Sequence, residues 1–252
     1  MRKVAFVLTP AASKRLIAKG VAALPEVKYA HKHGKIIVAG GTTNAFIVEE
    51  LMGRPLEKWR YTAGIVTDSV WTLTPVAERI TPLVLDKGEE CARPWPEVLS
   101  EFARGDVFIK GGNALDPDGN VGVLVAAKNG GTIGTAIGHL VSLGAHLILP
   151  IGLEKLIPSV VDAANLLGQL ELDACSGLPC GLFPVSFGTV ITEIDAISIL
   201  YDLEAVHVHS GGVGGSEGAV GIVAYGEEKA THRLMQDVEL LRLEPPIPSH
   251  MA

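Results

Sequence analysis

A chain of 252 residues with 48% apolar content buries a sizeable core, as one large domain or as a large and a small one. The net charge of −7 excludes a nucleic-acid-binding surface, which needs a surplus of Lys and Arg to neutralise phosphates. It does not exclude a small anionic metabolite, because a local pocket of amides outweighs global charge. The most apolar run, residues 140–153, is too short to span a membrane and is interrupted by His146, two glycines and Pro150.

Only 5% of the residues are aromatic, so Val, Ile, Leu and Ala carry much of the apolar weight. Buried parallel strands and their helices have this composition. Part of the surplus (mean hydropathy +0.33) is assigned to the interface of a homo-oligomer. Three cysteines suit reduced thiols in a cytoplasmic protein. Residues 4–8 follow Met1-Arg2-Lys3 but are too few for a signal peptide before Pro10.

Taken in order, residues 4–8 read as a strand. Pro10 starts a helix whose stripe is Leu16, Ile17, Val21, Leu24 and Val27, and Pro25 divides it in two. Residues 36–39 form a short apolar run of the buried-strand kind. Gly40 and Gly41 follow, where the backbone turns sharply, and Thr42, Thr43 or Asn44 is expected to cap the next helix, with Gly53 as its stop. This strand, glycine turn and helix organise the chain. The N–H groups at such a helix start attract anions, although the same letters also describe an ordinary capped turn.

Further strands are expected at residues 63–66, 106–110, 121–126 and 146–150, and helices at 94–103, 131–143 and 159–169. Residues 116–120 are a strong turn signal, and residues 129–134 a second glycine-rich loop at a helix start. This alternation predicts an α/β fold, a mainly parallel sheet flanked by helices. In such sheets ligands sit beyond the carboxyl ends of the strands. Three loops belong there: 40–44, 110–116 and 129–134.

After residue 180 the pattern changes. Residues 185–191 read as strand, 194–203 as helix, 205–209 as strand, 219–224 as strand, 227–240 as helix and 241–243 as a last strand. The order βαββαβ predicts a smaller ferredoxin-like α+β C-terminal domain. The expected division is 1–180 for a Rossmann-like core, 181–244 for the small domain and 245–252 for a loose, proline-rich tail.

With these loops placed, the chain resembles the superfamily of ribose-5-phosphate isomerase, glucosamine-6-phosphate deaminase and the CoA transferases. The likeness rests on residues 34–43 (strand and Gly-Gly-Thr-Thr turn), on 106–116 (buried strand into an acidic glycine-rich loop), on 130–134 and on the small C-terminal unit. The resemblance implies isomerisation or acyl transfer on a sugar phosphate, carboxylate or CoA ester. The acidic Asp-Glu pair of the isomerase is replaced here by Gly112-Asn113-Ala114, leaving Asp116 as the nearby carboxylate. The Glu-Asn-Gly setting of the CoA-transferase nucleophile is missing.

The candidate catalytic residues are Asp116, Glu154 and Lys110. Asp116 reads as a general base or as an Asx turn before Pro117. Glu154, with Lys155 beside it, follows a strand and Gly152, and the isomerase also has a Glu-Lys pair after a strand; an exposed ion pair is the alternative. Lys110 reads as a point charge facing an anion or as a solvated strand end. The candidate binding residues are Gly40, Gly41, Thr42, Thr43 and Asn44, then Gly111, Gly112 and Asn113, then Gly130, Gly131 and Thr132. Cys175, Cys180, His207 and His209 read as free thiols and structural histidines rather than zinc ligands, so neither a metal nor a cofactor is expected. The functional expectation is an enzyme using carboxylate acid/base chemistry, the alternative a non-catalytic sensor or regulatory subunit.

Overall fold

The strand at Lys35–Val38 shows why the large sheet forms. Ile36 and Val38 face one side and Ile37 and Ala39 the other, and all four are fully buried. A strand buried on both faces needs helices above and below it. A computed structural model describes residues 1–248 and supplies them.

The elements run β1 (Arg2–Leu8), α1 (Pro10–Ala23), α2 (Pro25–His33), β2 (Lys35–Val38) and α3 (Thr42–Met52). Then come β3 (Gly64–Thr67), β4 (Val70–Leu73), β5 (Leu83–Asp86), β6 (Glu89–Glu90), α4 (Trp95–Ser100) and β7 (Val107–Ile109). Next are β8 (Ala114–Leu115), β9 (Val121–Val125), α5 (Gly131–Leu143), β10 (His146–Pro150) and α6 (Val160–Leu166). The last are β11 (Gly181–Val185), β12 (Thr189–Ile191), α7 (Glu193–Tyr201), β13 (Glu204–Ser210), β14 (Val220–Gly226) and α8 (Glu228–Leu241).

The large sheet has the order β12-β10-β7-β2-β5-β6. Its first four strands are parallel, while β5 and β6 are antiparallel additions. Residues from α1, α2 and α3 pack on one face of it. On the other lie α4 and α5, with Val121, Val123 and Val185 from a small antiparallel sheet, β11-β9-β8. The fold is mixed α/β, with a mostly parallel sheet flanked by helices. No helix among the described residues is long and apolar enough to cross a membrane.

Three expectations change. The βαββαβ order does not assemble into one sheet. The expected strand at 185–191 is split by Gly188 at φ +100°, so that β11 pairs with β9 while β12 joins the large sheet beside β10. The first strand, β1, pairs along its whole length with β14, giving the sheet β1-β14-β13, which α1, α7 and α8 cover. Residues 241–243 end α8 in turns and form no strand. A boundary at 180 therefore cuts through three sheets. Hydrophobic periodicity identifies strands, but partner choice is made by surfaces distant in sequence.

The tail is the third change. Ile247 packs on the core. Glu244 accepts hydrogen bonds from Arg15 Nε at 2.9 Å and Nη2 at 3.1 Å. The rest of the expected loose tail, residues 249–252, lies outside the described residues.

Candidate functional site

Beyond the carboxyl ends of β2, β7 and β10 lies a cavity of about 850 Å³. The loops 40–44, 110–113 and 130–132 all line it. The hairpin β3–β4 walls it through Ile65, Val66, Trp71 and Leu73, and Ile247 and Pro248 reach it from the tail. Segment 176–178 is stitched to this hairpin: Trp71 N–H donates to Ser176 C=O at 3.0 Å and Leu178 N–H to Trp71 C=O at 2.8 Å. Gly177 sits at φ +93°, and a Cβ there would lie 2.2 Å from the Trp71 carbonyl oxygen.

Two helices begin at this cavity without a side-chain cap. The N-cap of α3 is Gly41 rather than Thr42, Thr43 or Asn44, and no side chain bonds its first turn. Asn44 turns the other way: its Nδ2 donates to Ala39 C=O at 2.7 Å and Ile109 C=O at 3.4 Å, and its buried Oδ1 has no partner. The N-cap of α5 is Gly130 at φ +75°, again with no side-chain cap. Asn129 Oδ1 accepts from Gly131 N–H at 3.1 Å, which leaves the N–H groups that follow as donors. The α3 start, and the part of the α5 start that Asn129 leaves unpaired, thus put partial positive charge at the cavity wall.

The second loop is held by packing. A Cβ on Gly112 would lie 2.3 Å from Val121 Cγ1 and 3.2 Å from Gly122 C=O, so only glycine lets β7 run on past β9. Asn113 is exposed, and its Oδ1 accepts from Leu124 N–H at 3.0 Å.

Three lysines line the same space: Lys14 from α1, Lys110 at the end of β7 and Lys155 on the turn after β10. Lys14 is paired, at 3.1 Å from Glu154 Oε1. Lys110 and Lys155 have no carboxylate partner among the described residues. Their ammonium groups donate only to carbonyls, Lys110 to Gly111 at 2.7 Å and Lys155 to Gly112 at 2.8 Å. Burial lowers the pKa of Lys110 from 10.5 to about 8, and the neighbouring charge of Lys155 adds to it. Burial likewise lowers Lys155 to about 8, where the charge of Glu154 opposes the shift and that of Lys14 reinforces it.

Of the expected catalytic carboxylates, neither lines the cavity. Asp116 is the Asx turn. It accepts from Asp118 N–H, Asn120 N–H and Nδ2, and Val160 N–H, at 2.9–3.2 Å. Burial alone would raise its pKa, but the Val160 and Asn120 donors win and hold it below the usual carboxylate value. Its work is to tie β8 and the following turn to the start of α6. Glu154 stands one layer back, behind Lys14, with Oε2 buried and unpartnered. The side chain folds over Gly152, where a Cβ would meet Oε2 at 1.8 Å. The buried Glu193, from the start of α7, belongs to the same cluster. Its pKa is pushed up to about 7, first by burial and then by the charge of Glu154. Its Oε2 accepts from Leu153 N–H at 3.0 Å, and its Oε1 has no partner.

Lys14, Lys155 and Glu193 were missed as site residues. Lys14 had a signal: it interrupts the apolar face of α1, three residues from both Ala11 and Ile17. Lys155 follows a strand that the carboxyl-end rule already marked. Glu193 had none, because it reads as an ordinary acidic residue in a helix first turn. Cys180 also lines the cavity as a buried thiol with its pKa raised by burial. Cys175 is exposed and His207 bonds Ser210 Oγ, and no group of three or more potential ligands able to hold a metal ion occurs among the described residues.

No family model matches the chain, and no solved structure matches it. Over 124 residues it is 30% identical to 2-deoxy-scyllo-inosose synthase from Streptomyces paromomycinus. That match takes in 49% of this chain and 30% of the synthase, so the chain spans under a third of that relative's length.

Proposed function

We propose that the protein binds a small anionic metabolite in this cavity, a sugar phosphate, carboxylate or CoA ester, and acts on it by proton transfer next to a carbonyl. One observation carries the reading. Two helix starts without N-cap side chains and two lysines without carboxylate partners face the same cavity. Cations bonded only to carbonyls and partly desolvated helix-start N–H groups gain from an incoming anion. The resemblance to the sugar-phosphate isomerase and CoA-transferase superfamily supports the same ligand class.

A second reading has its own support. No Asp or Glu lines the cavity among the described residues. A sensor or regulatory subunit of the same fold needs anion donors but no acid/base carboxylate.

Thermal-shift titration with inorganic phosphate, sugar phosphates, short carboxylates and CoA esters tests the binding. A shift with at least one anion is expected, and none with any would overturn it. Deuterium exchange from solvent into the carbon next to a bound ligand's carbonyl then separates the readings: exchange marks the enzyme, binding without exchange the sensor.

A further inference from the structure

We propose that Lys155 is a nucleophile, whose amine forms an imine with an aldehyde or ketone carbonyl of the anionic ligand. This rests on the anion-binding reading above and adds the chemistry that reading lacks.

The cavity wall offers few reactive groups. Among the described residues no carboxylate lines it, and Cys180 is a buried thiol whose protonated form is favoured. The amines remain. Lys14 is committed to Glu154. Lys110 and Lys155 are alike in burial and in donating to one glycine carbonyl each, but their surroundings differ. No carboxylate acts on Lys110, so it is suited to hold a negative charge. Lys155 has Glu154 and Glu193 within electrostatic reach, and also the ammonium of Lys14. An amine that adds to a carbonyl needs a lone pair and a nearby group that takes up and returns a proton. Lys155 has both. Burial, reinforced by the Lys14 ammonium, outweighs Glu154 and Glu193 and favours its neutral form, and the bond to Gly112 C=O fixes the nitrogen while leaving the lone pair free. Glu193, buried with an unpartnered oxygen, is the place for the proton.

The step balances without an external reactant. The ammonium gives one proton to the acid cluster. The nitrogen lone pair then adds to the carbonyl carbon, and a proton passes from nitrogen to the former carbonyl oxygen. The stored proton returns to that hydroxyl, which leaves as water while the C=N bond forms. In sum, ammonium and carbonyl give iminium and water, with no change of oxidation state. The positive iminium withdraws electrons from the adjacent carbon, so it eases the proton transfer proposed above.

The test uses the intact chain and two probes of similar size. Dihydroxyacetone phosphate carries a ketone, and glycerol 3-phosphate does not. Both are expected to raise Tm. With cyanoborohydride present, only the ketone is expected to leave a reduced adduct, located by peptide mass spectrometry on Lys155 and suppressed by excess inorganic phosphate. Lys155→Arg is expected to abolish the adduct. An adduct on Lys110 or on surface lysines alone would overturn the assignment. A Tm shift with both probes but no adduct would overturn the imine and leave the binding reading standing. No shift and no adduct with either probe would remove both.

Discussion

Lys14 and Arg15 are adjacent in α1 and enter opposite electrostatic worlds. Arg15 and Lys58 meet Glu49, Glu50 and Glu244 in a network that ties α1 to α3 and to the turn after α8. Both cations also lie over the ring of Phe46, at 4.7 and 4.8 Å. Every charge there has its counterpart. On the cavity side Lys110 and Lys155 have only carbonyls, and two helices start without caps. Elsewhere Ser159 caps α6 by accepting from Asp162 N–H, and Thr192 with Asp195 forms a capping box on α7, whereas α2, α4 and α8 start without a side-chain cap. What sets the cavity apart is the pair of ammonium groups bonded only to carbonyls, as expected where a ligand supplies the missing charge.

The comparison is open to attack from both sides. Arg15→Met should cost about 3 kcal/mol, because the Glu49 side chain, only 9% exposed, loses a partner. Urea unfolding measures this, and a negligible loss would show that the network is decorative. Lys110→Met should act oppositely: unliganded stability unchanged or raised, but phosphate affinity at least about tenfold weaker, or about 1.4 kcal/mol. A matching fall in stability would place Lys110 with the structural charges.

The pH dependence sharpens the contrast. Lys110 and Lys155 sit near 8 in the folded chain against 10.5 for free lysine. Between those values the unfolded chain binds more protons, so unliganded stability gains with rising pH across that window. Anion binding needs the ammonium forms and should weaken over the same rise. The Tm shift given by phosphate should shrink from pH 7 to 9.5, and less so in Lys110→Met. Last and smallest, Thr42→Glu places a carboxylate in the first turn of α3. It should stabilise the protein by about 0.3–1 kcal/mol and still weaken anion binding, and a gain in both would mean that this helix start does not face the ligand.

Much of the site was legible because glycine loops after apolar runs carry a local signal. The turn at residues 40–44, Gly112 in its crowded position and Gly130 at its left-handed angle are all consequences of backbone sterics. The roles inside the loops were less legible. Asp116 and Asn113 have the letters of functional groups, yet spend their oxygens on the backbone N–H groups of Val160, Asn120 and Leu124. Whether a polar side chain is spent or spare depends on donors that arrive from other elements.

By itself the sequence determined the alternation of strands and helices, the division of the first helix at Pro25 and the stop of α3 at Gly53, since each follows from periodicity or one residue's backbone limits. Tertiary structure alone decided that β1 closes a sheet with β14, that β12 leaves the C-terminal unit for the large sheet, and that Lys155 faces a cavity with acids behind it. Those outcomes depend on which distant surfaces bury one another and on how burial reprices a charge, and no short window of the chain contains either quantity.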